Sequence, residues 1–518
     1  MVKSLLFGGK AGQGPNILCH IVAEAIMKQG YYVFYSRDYE SVIRGGHNFN
    51  VLSFSRSPIY SNESKVDLVI ALDEKTKEIH RKNLKKSGII LDGGHDTENK
   101  FSVSPNPNKQ KGFVDNMYFA GALFKIMGLD FRILEQELKK LARFEENIKN
   151  ARKGHNEEKR NIPIHKIISR NKEKNVLMNG SQGIAEGAIK SGVDLYYSYP
   201  MTPATPVLFE LAPKQKENNF LVLELENEIS VILSGLGSAA TGAKVMVGTS
   251  GGGFDLMTEG LSMAGQAEIP IVCYLASRPG PSTGLATYTG QGDLQLARHC
   301  GHGEFFRLVL APGTPDEAQQ LVSQAFYFSQ KYKIPAIILS DKHLAESFFS
   351  LQETGKIMKS EKLTGLKRYN SYEHTGTGEA TENAEMIRKN VERRLEKTRE
   401  IEREASKFEQ YKVYGKKNSK NLIVSYGSTK GAILDAIKEL EVEFMQILYI
   451  EPFPEKIKSE LEKAKKIILV ENSATGMLAD VIREKTGIKI DDKNKILRYD
   501  GRPFLADELK LEIEKRVR

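Results

Sequence analysis

Cysteine is scarce in this chain. The three present, Cys19, Cys273 and Cys300, show no C-x-x-C spacing, which excludes an iron–sulfur cluster or structural zinc held by this chain alone and makes a reducing cytoplasm the natural compartment. Long apolar runs are absent too. The longest, Ile269 to Ala276, falls far short of the ~18 residues a membrane-spanning helix needs. The N terminus offers no signal core, since Leu5, Leu6 and Phe7 run at once into glycines. Aromatics are missing where the positive charge is densest: residues 151–175 hold eight Lys/Arg against three Glu, supply five of the net charge of +9, and contain no Phe, Tyr or Trp. A nucleic-acid surface interleaves aromatics with basic residues. The excess therefore reads as a solvated linker, and no nucleic-acid partner is expected.

What is present is an ordinary globular balance, 40% hydrophobic and 27% charged, over 518 residues. At ~150 residues per domain that predicts three or four domains. Through residue 150, short β-rich runs (Lys3–Phe7, Tyr31–Ser36, Val66–Ala71, Gly88–Leu91) alternate with helical patterns at Pro15–Gln29 and Met117–Ala142. Such alternation predicts βαβ units and a parallel sheet. After the basic linker at 151–175 the pattern restarts and predicts a larger doubly wound domain over 176–370. Residues 371–418 read as a charged helical connector, with Ile387, Val391 and Leu395 recurring every fourth residue. Residues 419–518 read as a small C-terminal α/β domain. The fold class expected is thus α/β, with three parallel-sheet domains.

Several turns at strand ends could carry chemistry. Gly9-Lys10-Ala11-Gly12-Gln13-Gly14 opens a helix and could face a phosphate with its amides, Gly9, Gly12 and Gly14 supplying the tight backbone. Its spacing is GxxGxG rather than GxGxxG. Asp38, at the end of the next strand, keeps a dinucleotide site open. Arg44-Gly45-Gly46-His47 adds a positive charge on a glycine-permitted turn, suited to an anion and equally to a simple loop. Gly248-Thr249-Ser250-Gly251-Gly252 formally fits the nucleophile elbow of a serine hydrolase, with Asp341 and His343 downstream in the right order, although those two stand only two residues apart. In Tyr199-Pro200-Met201-Thr202-Pro203-Ala204-Thr205-Pro206, three prolines fix the backbone around two threonine hydroxyls. Glu224, Glu226 and Glu228 alternate into a small-residue helix whose close packing would bury an inward carboxylate. Arg278, in Ser277–Gly284, sits where open α/β sheets bind ligands and offers a carboxylate clamp.

Three of these segments carry a resemblance. Tyr199–Pro206 is similar to YPITPS(S/T)P, Glu226–Ala243 with Thr249–Phe254 to E.EI…G…GA(K/R)…TSGPGF, and Arg278–Leu285 to RPGPSTGL. Together they resemble the α subunit of 2-oxoacid:ferredoxin oxidoreductases, with the N-terminal domain resembling the family's γ subunit fused ahead of it. Met201, Ala204 and Gly252 depart from the motifs. The resemblance implies thiamine-diphosphate-dependent oxidative decarboxylation of a 2-oxoacid to acyl-CoA, CO₂ and reduced ferredoxin. The 176–370 domain would bind the cofactor's pyrimidine.

By the same resemblance Glu228 contacts the aminopyrimidine and promotes deprotonation at thiazolium C2. Tyr199, Pro200, Ser250 and Gly251 fall on cofactor-contacting positions, and Thr202 and Arg278 on substrate-contacting ones. Gly9, Gly12, Gly14 and Arg44 would help form the coenzyme A side. The family's GDG…N diphosphate motif has no counterpart beyond Leu91-Asp92-Gly93-Gly94, in the wrong domain. A β subunit carrying Mg²⁺, the diphosphate site and a [4Fe-4S] cluster is therefore implied, in an (αβ)n assembly with ferredoxin as acceptor. The fusion order favours 2-oxoglutarate. The alternatives are a serine hydrolase using Ser250 and a non-catalytic nucleotide-binding or electron-transfer scaffold.

Overall fold

The computed structural model describes residues 2–41, 46–92, 116–160, 175–352, 356–363 and 370–517, and its strands assemble into three sheets, mostly parallel. The chain separates into two compact units, one of residues 1–178, 347–353 and 505–508, the other of the remainder.

The first unit is built on a seven-stranded sheet. Its order is β5 (Leu84–Asp92), β4 (Val66–Ala71), β1 (Lys3–Lys10), β3 (His47–Ser55), β2 (Tyr32–Tyr39), β13 (Phe348–Gln352) and β6 (Asn175–Asn179). The half β5-β4-β1 is parallel, as the alternation predicts, but β1-β3, β3-β2 and β2-β13 pair antiparallel. Strand β3, not delineated from the sequence, inserts between β1 and β2. This removes the dinucleotide reading: that site needs β1 and β2 as parallel neighbours, and here Asp38 pairs with Phe49 of β3 instead. The connection helix Pro15–Lys28 starts at Pro15, whose fixed φ suits a first helical position, directly after Gly14 at φ 79°.

The expected linker is helical at its start. Helix Phe144–Glu157 runs through Ala151 and packs on helix Asn116–Met127. An added Cβ on Gly121 would lie 1.8 Å from the Ala151 carbonyl oxygen, and one on Gly154 would lie 2.0 Å from that of Tyr118. The two helices meet backbone to backbone, a contact made by glycine that a charge count does not register. Residues 161–174 lie outside the described residues.

The second unit contains the other two sheets. The larger runs β17 (Tyr449–Glu451), β11 (Leu308–Leu310), β12 (Pro335–Asp341), β10 (Ile271–Ser277), β9 (Val245–Thr249), β7 (Leu195–Ser198) and β8 (Leu221–Glu224), parallel except for β17. The smaller runs β14 (Tyr411–Gly415), β16 (Glu443–Ile447), β15 (Asn421–Tyr426), β18 (Lys466–Glu471) and β19 (Lys495–Leu497), with β14 antiparallel. The boundary at 419 shifts accordingly, because β14 lies inside the expected connector.

These two sheets interlock, since β17 leaves the C-terminal segment to pair with β11. Buried charges join them as well. Glu317 takes Lys430 Nζ at 2.6 Å, Gln446 Nε2 at 2.6 Å and Lys412 Nζ at 3.0 Å, and Arg298 Nη2 reaches Glu451 and Glu484, each at 2.8 Å. Of the connector helix Ala384–Ala405, only Ile401 and Ala405 are buried, while Leu395 is exposed. No helix among the described residues is long and apolar enough to cross a membrane.

Candidate active site at the carboxyl edge of the larger sheet

Strand order β10-β9-β7-β8 places the site. From β7 the chain steps outward to β8, then returns to β9 on the other side, so the crevice beyond the carboxyl ends of β7 and β9 is a topological switch point. Tyr199–Pro206 follows β7, Ser250–Gly253 follows β9 and Arg278 follows β10. The three motifs, 50 or more residues apart in places, thus converge on one sheet edge. Ser198 Oγ donates to the Gly248 carbonyl at 3.0 Å and ties β7 to β9.

Of the three alternating glutamates, Glu224 and Glu226 are exposed and Glu228 is 3% exposed. The separation is set by the helix start. Asn227 is the N-cap, its side chain accepting from the Ser230 amide at 2.9 Å, and Glu228 opens helix Glu228–Ala240 pointing inward. Glu226 is held outside by the Ser230 hydroxyl. Thr249 Oγ1 donates to Glu228 Oε1 at 3.5 Å and lies 3.9 Å from Met201 Sδ, so residues following β7, ending β9 and opening this helix meet at one carboxylate.

Glycines at the start of helix Gly251–Ala267 seat two carboxylates. A Cβ on Gly253 would lie 2.2 Å from Thr249 Oγ1 and 2.4 Å from Glu228 Oε1, and one on Gly251 would lie 2.7 Å from an Asp293 carboxylate oxygen. Gly252, between them, is exposed with nothing within 4 Å of an added Cβ. Glycine and proline both suit this helix start, since the second helical position is exposed and proline is tolerated there. Ser250 is wholly buried and its Oγ makes no hydrogen bond.

Arg278 is half-buried, and its Nη1 donates to the Thr202 carbonyl at 2.7 Å, bringing the two expected substrate residues together. Burial pulls the guanidinium pKa down, opposed by the charges of Asp293 and Glu228. Tyr199 is exposed and Pro200 half-buried beside them. Asp293 was not singled out from sequence. Its one available signal was the glycine-rich turn Thr289-Gly290-Gln291-Gly292 that precedes it.

The hydrolase alternative does not hold, because no base touches Ser250 Oγ. Asp341 is committed to the Thr289 hydroxyl (3.2 Å) and the Leu344 amide (3.1 Å), and burial pulls the His343 pKa down to about 3.

In the first unit, three amides of the turn at Gly9–Gly14 are taken up by the protein itself. Lys10 N–H donates to Gln13 Oε1 at 2.6 Å, Ala11 N–H to the Gly46 carbonyl at 3.1 Å and Gln13 N–H to the Lys10 carbonyl at 3.0 Å. Gly12 remains as an exposed, open corner at φ 90°. Arg44 and Gly45 lie outside the described residues, as do Gly93 and Gly94. Asp92 is engaged by Lys77 at 2.8 Å.

Residues 186–413 match the model of a thiamine-diphosphate-binding pyruvate flavodoxin/ferredoxin oxidoreductase domain, and residues 4–157 match the pyruvate ferredoxin/flavodoxin oxidoreductase model. The 2-oxoacid:ferredoxin oxidoreductase α subunit of Saccharolobus solfataricus is 29% identical, covering 98% of this chain and 96% of that one. The 2-oxoglutarate synthase subunit KorA of Archaeoglobus fulgidus is 30% identical over 59% of this chain and 90% of its own length. A solved 2-oxoglutarate:ferredoxin oxidoreductase from Magnetococcus marinus, with 2-oxoglutarate, coenzyme A and succinyl-CoA bound, superimposes with a TM-score of 0.86 over both full chains at 22% identity.

Proposed function

The chain belongs to the 2-oxoacid:ferredoxin oxidoreductase α-subunit family and carries a γ-like N-terminal domain, and on that premise we propose that it oxidatively decarboxylates 2-oxoglutarate with thiamine diphosphate as cofactor and coenzyme A as acyl acceptor. The observation that carries the reading is the convergence of a buried glutamate, a buried unpartnered serine and a half-buried arginine at one switch point. Ser250 Oγ and the glycine-opened helix give polar atoms and room at the right edge, so the residues present fit the cofactor.

When bound, thiamine diphosphate supplies the nucleophilic carbon and the electron sink for decarboxylation. Glu228 would hold a proton at the pyrimidine ring nitrogen, kept from water by its burial and oriented by Thr249 and Gly253. Ser250, Gly251, Tyr199 and Pro200 would line the cofactor. Arg278 would pair with the carboxylate that leaves as CO₂, its guanidinium oriented by the Thr202 carbonyl. Gly9, Gly12, Gly14 and Arg44 would contribute to the coenzyme A side.

Mg²⁺, the diphosphate site and a [4Fe-4S] cluster are assigned to a β subunit, with ferredoxin as acceptor and an (αβ)n assembly in the cytoplasm. One feature supports a partner over the site. Ile229, Leu233 and Leu256 are exposed on the two helices that begin there, with Leu221 and Leu223 exposed along edge strand β8. Relatives named for 2-oxoglutarate support the substrate. The test is turnover of the assembled complex with coenzyme A and an artificial electron acceptor on a panel of 2-oxoacids. We expect 2-oxoglutarate to give the highest kcat/KM, and a preference for pyruvate or branched-chain 2-oxoacids would overturn that choice.

A further inference from the structure

The carboxyl edge of the smaller sheet is a second topological switch point, and the chain itself fills it. From β15 the chain goes out to β16 and returns to β18 on the other side, all three parallel. A crevice therefore opens beyond Tyr426 and Glu471, where open sheets of this kind take ligands. Gln291, 3% exposed, lies there. Its amide donates to the Asn472 carbonyl at 2.7 Å and its Nε2 to the Tyr426 carbonyl at 3.0 Å. Its Oε1 accepts from the Asn472 amide at 2.8 Å, and its carbonyl from the Tyr426 hydroxyl at 3.2 Å. Every polar atom of the residue is engaged from two strand ends. Gly427, at φ 64°, makes the room, since an added Cβ would stand 2.9 Å from Gln291 Nε2.

Gln291 closes the loop that begins at Arg278. Residues 280–285, the middle of that loop, are exposed, so its course is set at its ends. At the near end, Ser277 pairs with Asp341 at the close of β10. At the far end the loop is stitched to the C-terminal segment. The Thr289 amide donates to the Gly501 carbonyl at 3.1 Å, and the Arg502 guanidinium carbon lies 4.0 Å from the Tyr288 ring centroid. The two ends meet at Gly290. A Cβ there would lie 3.3 Å from Pro279 Cγ and 3.4 Å from Pro279 N, so the backbone between Thr289 and Gln291 packs against the residue that follows Arg278.

We propose that Gln291 is a positioning residue for 2-oxoacid binding: seated in the switch-point crevice, it makes the smaller sheet the support that holds the Arg278 loop in place beside Thr202. The inference rests on Arg278 as the partner of the substrate carboxylate. With Nη1 donating to the Thr202 carbonyl at 2.7 Å, the guanidinium presents its other N–H groups in a fixed direction only while the backbone at 278–279 stays where it is. Gly290 backs that stretch, and Gln291 holds Gly290 against it. Preorganisation of this kind lowers the cost of binding and leaves proton transfer at Glu228 untouched, so it shows in KM for the 2-oxoacid.

The experiment uses the assembled complex with 2-oxoglutarate, coenzyme A and an artificial electron acceptor. Gln291→Met keeps length and volume but loses both side-chain hydrogen bonds. It raises KM for 2-oxoglutarate by ~3- to 10-fold and moves kcat and KM for coenzyme A by less than ~2-fold. Arg502→Ala loosens the same loop from the supporting side and shifts KM for 2-oxoglutarate in the same direction. Lys510→Ala, at an ion pair with Glu439 in the same segment, leaves it unchanged. Because Gln291 acts through Arg278, adding Gln291→Met to Arg278→Met raises KM by less than a further ~2-fold.

If Arg278→Met leaves KM for 2-oxoglutarate unchanged, the Arg278 reading itself fails. If it raises that KM while Gln291→Met leaves it alone, raises both KM values equally, or adds its full factor on top of Arg278→Met, only the present inference fails. If Gln291→Met does not assemble, Arg502→Ala decides on the same readouts, and an unchanged KM for 2-oxoglutarate in that variant overturns the proposal.

Discussion

Gly253→Ala is the smallest change that tests whether Glu228 works where the fold puts it. In an exposed helix interior, glycine to alanine stabilises by up to ~1 kcal/mol. Here the added methyl would stand 2.2 Å from Thr249 Oγ1 and 2.4 Å from Glu228 Oε1, against an ordinary contact of 3.4 Å or more. Either side chain must move by roughly 1 Å. Both are buried, so the strain passes to the Glu228 carboxylate, and a displacement of that size at a reacting group costs on the order of 10²-fold in rate. Gly252→Ala is the matched control. It adds the same methyl one residue away, into open space, and should keep full activity with equal or better stability. The assays are hydrogen–deuterium exchange at thiamine C2 and 2-oxoglutarate turnover in the assembled complex, with melting temperature as the check on folding. Wild-type exchange and turnover in Gly253→Ala would refute the assignment of Glu228, because the carboxylate could then be displaced without consequence.

Three further outcomes are expected. Glu228→Gln keeps volume and assembly but slows C2 exchange by ~10²- to 10⁴-fold, whereas Glu226→Gln, at an exposed position, leaves it unchanged. The chain produced without its β subunit is colourless and turns over no 2-oxoacid, which an absorption spectrum and the acceptor assay check directly. Glu471 is wholly buried, and burial raises its pKa to about 7 despite hydrogen bonds from the Ser473 hydroxyl and the Met477 and Leu478 amides. A carboxyl whose folded pKa lies above its unfolded value near ~4.5 binds more protons when folded, so stability falls as pH rises through that window, by on the order of 3 kcal/mol. Denaturant midpoints of wild type and Glu471→Gln between pH 4.5 and 8 should show that slope in the wild type only.

What the sequence made legible divides along a physical line. Contacts made by local pattern were readable: helix Glu228–Ala240 begins and ends at the residues its small-residue run and preceding acid suggest, and β4 spans Val66–Ala71 as its apolar run does. Contacts made by absence of a side chain were not. The linker at 151–157 became a packed helix through Gly121 and Gly154, whose effect depends on a partner backbone that sequence spacing does not name. Strand β3 stayed hidden because its central residues, Asn50 and Ser53, are polar yet buried, paired with Asn16 and with Ser4 and Asn62 rather than with water.

The site follows the same rule. Its motifs were visible because each is a local run at a strand end. Asp293 was invisible because its position depends on where Gln291 is clamped by Tyr426 and Asn472, from two strand ends of the other sheet more than 130 residues away in sequence. A carboxylate held by distant backbone and seated on a glycine leaves almost no trace in its own neighbourhood. Its surroundings are Gly251 and the burial that raises its pKa, so charge at this sheet edge has to be read from the assembled fold rather than from any single motif.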